Sequence, residues 1–215
     1  MMLTNKQPAE RSYHHGDLRE TLMEAALASI AAHGTEKLSL RALAREAGVS
    51  ATAPYRHFPS KQSLLAALAE EGFLELRARF DQVAAAPYPD LEQRLLAIGM
   101  AYIDFALANP TTYELMFGSV LGDFSPFRSL REAAAGCYQV LYRILEEGLS
   151  PDSEPRLTAT RLGGVVWAAV HGIASLLLYH RDVRPSEDLR APNTSLHGMM
   201  ADPESALRIL FAGIR

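Results

Sequence analysis

Apolar positions recur at helical spacing along almost the whole chain, and no alternating run long enough for a strand interrupts them. Leu18, Leu22, Ala25, Ala26 and Ile30 share one face of a helix expected over residues 17–33, which Gly34 stops. Leu40, Leu43, Ala44 and Ala47 repeat the i, i+3, i+4, i+7 stripe in a second, short helix with Ser39 as its N-cap, while Arg41, Arg45 and Glu46 fall off the stripe. Next comes a turn, Ala47-Gly48-Val49-Ser50, in which Gly48 can take a positive φ and Ser50 can cap the following helix. Residues 51–58 make that third helix, poor in large apolar side chains apart from Tyr55 and Phe58, and Ser60 caps a longer helix reaching about residue 83. A break at 86–90 precedes helices over 90–108, 110–117, 127–149, 157–180 and 203–214. The segment 118–126, with Gly122, and the proline-bearing polar segment 181–202 read as loops. The pattern predicts an all-α protein: an arm at residues 1–12, a three-helix helix-turn-helix domain at 13–60, and a helical domain at 61–215 joined to it without a linker.

The most informative stretch is residues 38–61, because its turn chemistry, small residues and hydrogen-bond donors coincide. A recognition helix enters the major groove with its N-terminal residues toward base edges. Ala51, Thr52 and Ala53 permit that close approach, and the Thr52 hydroxyl or the alanine methyls can meet base edges or a thymine methyl. Tyr55, Arg56 and His57 supply phosphate donors, and Lys61 at the start of the next helix can pair with a phosphate that the helix N-terminus also attracts. Pro54 lacks an N–H and suits a first helical turn, which moves the expected start of the recognition helix from Ser50 to Thr52 or Ala53.

The net charge of −4 fits a DNA binder only once it is divided along the chain. Residues 1–61 carry eight Lys/Arg against six Asp/Glu and the remainder thirteen against nineteen, so the N-terminal part is the positive one. A surplus of two charges is small, and affinity must then come from placed donors on a two-headed molecule. One cysteine among 215 residues excludes an intrachain disulfide and fits a cytoplasmic home. The polar residues 1–12 lack the apolar run of a signal peptide. The most apolar stretch, 163–179, falls short of the ~20 residues a membrane span needs.

From Tyr13 to about Phe73 the sequence resembles the N-terminal domain of the TetR family of transcriptional regulators. The resemblance rests on Gly16-Asp17-Leu18-Arg19 through Ala32-His33-Gly34, Leu40-Arg41-Ala42-Leu43-Ala44, Ala47-Gly48-Val49-Ser50, and Tyr55-Arg56-His57-Phe58 followed by Lys61 and Leu64-Leu65. It implies phosphate contacts for Tyr55, His57 and Lys61, and contacts with bases or nearby backbone for Arg41, Ala51, Thr52, Ala53 and Arg56. With Ser39 and Ser50 at the two helix starts, these form the candidate DNA-contacting set.

Trp167, His171 and Gly172 lie on one helix, the first two at i, i+4. This Trp-x-x-x-His-Gly pattern resembles the C-terminal domain of the TetR subgroup named for those three letters. The resemblance implies a homodimer in which the last two long helices form a four-helix bundle with their copies, through Leu176, Leu177, Leu178, Ile209, Leu210 and Phe211 here. Tyr102, Phe105, Tyr113, Met116, Phe117, Tyr138, Trp167 and His171 are the candidate wall of a cavity for an apolar small-molecule effector. No cofactor, metal site or catalytic residue is expected, since the seven histidines form no spaced ligand set with acids. Two other readings remain at this point: an architectural DNA-binding protein without an effector, and an enzyme using Cys137 and His171 as nucleophile and base. The favoured expectation is a repressor that leaves a palindromic double-stranded operator when its effector binds.

Overall fold

Glycines and capping side chains punctuate the chain. The structure, a computed structural model, describes residues 15–149, 158–180, 192–212 and 214. The expected arm at 1–12 and residues 150–156, between the helices expected at 127–149 and 157–180, lie outside the described residues. The described chain divides into two compact units between Leu64 and Leu65.

In the N-terminal unit, helix α1 (His15–His33) ends where Gly34 takes φ 79°, and the Gly34 N–H donates to the Ile30 carbonyl. α2 (Leu40–Glu46) buries Leu40, Leu43 and Ala44, the apolar side of its short stripe. These meet Leu22, Ala26 and Ile30 of α1 in a core that Leu38 and Phe58 complete. Gly48 turns the chain at φ 70°, a left-handed conformation that costs a residue with a Cβ about 1–2 kcal/mol.

Two expected features of this unit are corrected. Ser39 stands at the N-cap of α2 in extended backbone, but its side chain makes no capping hydrogen bond. Ser50 does not cap a recognition α-helix either: residues 53–56 form a single 3-10 turn, Ala53–Arg56, preceded by irregular backbone. Pro54 supplies the reason. An α-helix here would need the residue 54 N–H to reach the Ser50 carbonyl, and proline has none; the Ala53 N–H donates to that carbonyl instead, at 3.0 Å. The turn starts at Ala53, one of the two starts, Thr52 or Ala53, expected from Pro54.

α3 (Lys61–Ala85) is capped reciprocally: the Ser63 N–H donates to Ser60 Oγ at 3.1 Å and the Ser60 N–H to Ser63 Oγ at 2.9 Å. Leu65 and all later residues belong to the C-terminal unit. There α4 (Leu91–Ala108), capped by Asp90 through the Gln93 N–H, is buried on nearly every side and forms the centre. α5 (Pro110–Phe117), α6 (Arg128–Gly148), α7 (Ala159–Tyr179) and α9 (Pro203–Phe211) complete the unit, and α4 packs against each of them.

The segment expected to be loop up to residue 202 contains α8 (Pro192–Ala201). Its opening proline, suited to a first helical turn, was the signal available in the sequence. Asp202 then caps α9 by accepting from the Ser205 N–H at 3.0 Å. α7 has 21 residues, four more at its start than the apolar stretch suggested, so by length and composition alone it could span a bilayer. Ala159, Leu162, Val166, Val170, Ile173 and Leu177 form its buried stripe. Val165, 66 % exposed, Leu176 and Tyr179 form a second apolar face that nothing within the described chain covers.

Candidate functional site

The candidate DNA-contacting residues all belong to the N-terminal unit, and none is buried. Ser39, Arg41, Ser50, Ala51, Thr52, Tyr55 and Arg56 are exposed, while Ala53, His57 and Lys61 are half-buried. Their presentation follows from the local fold. Phe58, with Arg19 stacked over its ring at 5.7 Å, and Pro54 are buried, which anchors the 3-10 turn from beneath and leaves Tyr55 and Arg56 outward. Ser50 Oγ and Thr52 Oγ1 lie 3.3 Å apart in the approach to that turn. Lys61 Nζ donates to the Glu36 carbonyl at 3.3 Å, a contact that holds the ammonium at the start of α3.

The C-terminal unit contains a partly open cavity of about 460 Å³, within the range that holds one small organic molecule. Of the eight candidate pocket residues, Tyr102, Met116, Phe117, Tyr138 and Trp167 line it. Phe105 does not. Its side chain is fully buried beneath the Arg79 guanidinium, 5.5 Å from the ring centroid, and belongs to the core. Tyr113 and His171 face a separate hollow of about 370 Å³ between α5 and α7, shared with Glu114 and Ser175. Phe117 borders both spaces. The sequence had not singled out the rest of the wall: Phe73, Leu76 and Phe80 from α3, Ile98 and Gly99 from α4, Ala134 and Leu141 from α6, Val166 and Val170 from α7, and Phe124 from the segment between α5 and α6. Phe73, Leu76 and Phe80 sit at i, i+3, i+7, so their common face was readable, whereas Phe124 follows no periodicity.

A polar aromatic cluster borders the two spaces. The Tyr102 and Tyr113 hydroxyls each lie 2.8 Å from His171 Nδ1 and 3.3 Å from one another, and Ser175 Oγ lies 3.4 Å from Tyr113. The His171 ring is sandwiched between Trp167, with centroids 5.2 Å apart, and Tyr113, at 5.6 Å. Burial lowers the His171 pKa below its ordinary value, so the ring is neutral near pH 7. Burial, then the neighbouring Tyr113, pushes the Tyr102 phenol far above the usual range, and burial raises Tyr113 likewise. The cluster therefore carries no formal charge.

Cys137 lines the cavity but is not paired with His171. Its thiol donates to the Phe73 carbonyl at 3.0 Å, and burial pushes its pKa up to about 12, which opposes thiolate formation. Gly172 has open space where a Cβ would stand, whereas at Gly163 on the same helix a Cβ would lie 2.9 Å from the Tyr138 hydroxyl. The expected dimer contacts also divide. Leu177 and Phe211 are buried in their own chain, whereas Leu176, Ile209 (80 % exposed) and Leu210 face outward.

Comparisons with known proteins match both units. Residues 22–68 fit the family described as bacterial regulatory proteins of the tetR family, and residues 95–202 fit the tetracyclin repressor-like C-terminal domain. An HTH-type transcriptional regulator of Mycobacterium tuberculosis is 37% identical over 92 residues, which is 40% of this chain and 38% of that protein. The chain thus spans well under half the length of the curated relatives with which it shares this match. A solved structure from Rhodococcus sp. RHA1, of unknown function, is 32% identical with a TM-score of 0.70, covering 93% of this chain and 98% of that one. The transcriptional regulator FadR of Bacillus subtilis, solved in complex with stearoyl-CoA, shares the fold at 16% identity and a TM-score of 0.69, covering 91% of this chain and 99% of FadR. With one model matched across the helix-turn-helix and the other across half the chain, the protein belongs to the TetR family of DNA-binding transcriptional regulators.

Proposed function

We propose that the protein is a homodimeric repressor that holds a palindromic operator through its two helix-turn-helix units and releases it when a small molecule fills the C-terminal cavity. The cavity is the observation that carries this reading, because a concave, almost wholly apolar pocket of this size is the usual form of a small-molecule site. Dimerisation is supported by the uncovered apolar face of α7 together with Ile209 and Leu210 of α9. Arg41, Ala51, Thr52, Ala53 and Arg56 are assigned to bases and nearby backbone. Tyr55, His57 and Lys61 are assigned to phosphates, and Ser39 and Ser50 complete the set ahead of α2 and of the 3-10 turn. Phe73, Leu76 and Phe80 of the cavity wall stand on the helix whose first turn carries Lys61, so an occupant acts directly on that helix. A regulator of this kind works beside the chromosome in the cytoplasm and catalyses nothing; the inert Cys137 thiol accords with that.

The test starts with duplexes selected by the protein from random sequence. The selected sites should be palindromic, with half-sites about 34–36 Å apart or near a multiple of that spacing, and light scattering should give two chains per molecule. Asymmetric sites bound by a monomer would reject the proposal. Operator affinity insensitive to every cavity ligand would reduce it to an architectural DNA-binding protein.

A further inference from the structure

The cavity wall is uniform in a way that limits what can occupy it. Among the described residues, no Lys, Arg, His, Asp or Glu lines it. The polar side-chain groups on lining residues are few: the Cys137 thiol donates to the Phe73 carbonyl, the Tyr138 hydroxyl donates to the Thr160 carbonyl at 3.0 Å, the Tyr102 hydroxyl belongs to the neutral cluster with Tyr113 and His171, and the Trp167 indole N–H is the fourth. Arg77 stands beside the wall without lining it. Its guanidinium rests against Gly136 and pairs with Asp81 at 3.5 Å, where both side chains are about half exposed. The acid Glu114 and the imidazole of His171 border the other hollow. An ion entering the cavity would exchange much of its hydration for a wall with no counter-charge and at most the single neutral donor of the Trp167 indole, a loss that hydrocarbon contacts cannot offset.

Resting on the effector reading above, we infer that this cavity selects electrically neutral molecules, largely hydrocarbon or aromatic, and excludes carboxylates, phosphates, sulfonates and ammonium ions. An acyl-CoA of the kind bound by FadR would have to leave its charged nucleotide outside this wall. Recognition here is by shape and by stacking against Phe73, Phe80, Phe117, Phe124 and Trp167.

A matched pair of fluorescent probes tests the inference on the full chain. N-phenyl-1-naphthylamine is neutral, and 8-anilinonaphthalene-1-sulfonate carries the same aromatic skeleton with a sulfonate. Trp167, the only tryptophan of the chain, lines the cavity and reports occupancy by quenching. The neutral probe should bind one per chain and quench Trp167, and the sulfonate should bind the cavity at least about 100-fold more weakly. Ala134→Phe, which fills the space from α6, should abolish binding of the neutral probe while circular dichroism stays unchanged. If that variant does not fold, dodecanol should displace the neutral probe from the unaltered protein, and dodecanoate should not. The inference is overturned if the sulfonate binds within tenfold of the neutral probe at a site that Ala134→Phe closes or the neutral probe competes for. It is equally overturned if neither probe binds, or if folded Ala134→Phe binds the neutral probe undiminished. A neutral ligand that binds without changing operator affinity would defeat the effector reading and support this one; a charged ligand that enters the cavity and releases the operator would do the reverse.

Discussion

The candidate sites of the two units differ in kind, one formed by exposed side chains and the other by a space between helices. In the N-terminal unit the candidate contacts lie within one short stretch, from Ser39 to Lys61, and none of them is buried. In the C-terminal unit the corresponding feature is a space, bounded by residues from Phe73 to Val170 on five helices and one loop. A recognition surface is made by the side chains that protrude, which local backbone decides. A cavity is made by what packing leaves unfilled, and that depends on helices far apart in sequence.

The sharpest way to test this division is to compare two aromatic residues of the C-terminal unit. Phe105→Ala removes a fully buried ring and should cost about 3–5 kcal/mol in urea unfolding. Trp167→Ala removes a ring that is 42 % exposed and should cost about 1–2 kcal/mol, leaving dimer and operator binding intact while blunting the effector response. Equal losses for the two would erase the distinction between core and wall. Dissociation of the Trp167→Ala protein into monomers would move Trp167 to the interface.

In the N-terminal unit, Gly48→Val forces a β-branched residue into the left-handed region and should cost about 1–2 kcal/mol, although open space surrounds the position. A neutral result by denaturant titration would mean that the turn relaxes to another conformation. Lys61→Ala should change stability by less than about 0.5 kcal/mol. It should weaken binding to all DNA sequences alike and reduce the slope of log affinity against log salt by about one. A changed base preference would contradict its assignment to phosphate.

The smallest effect is that of His171. Its folded-state pKa is lowered by burial, so between that value and 6.5 the unfolded chain holds a proton that the folded chain lacks. Stability should therefore rise with pH across that window and level off above it. His171→Gln should remove this part of the slope, as read by thermal unfolding at matched ionic strength. An unchanged pH profile would show that His171 titrates normally in the folded protein.

The legible features were those with local causes. Gly34 and Gly48 at positive φ, the cap at Ser60, and the late start imposed by Pro54 each depend on a few neighbouring residues. The side-chain caps expected of Ser39 and Ser50 were also local, but the backbone used other partners. In the C-terminal unit the sequence could name aromatic residues on helices without saying which would face a void. Phe105 and Tyr102 stand three residues apart on α4, and only packing against other helices places one in the core and the other on the wall. Phe124 carried no pattern at all, and α8 was hidden by a polar composition that also describes a loop.

The central claim is that filling the cavity lowers operator affinity. Fluorescence anisotropy of a selected palindromic duplex, titrated with protein at fixed salt with and without a saturating neutral ligand, tests it most directly. With a coupling of about 1–3 kcal/mol, affinity should fall roughly 5- to 150-fold, and the fall should vanish in folded Ala134→Phe. Identical titration curves with and without a ligand shown to quench Trp167 would contradict the account.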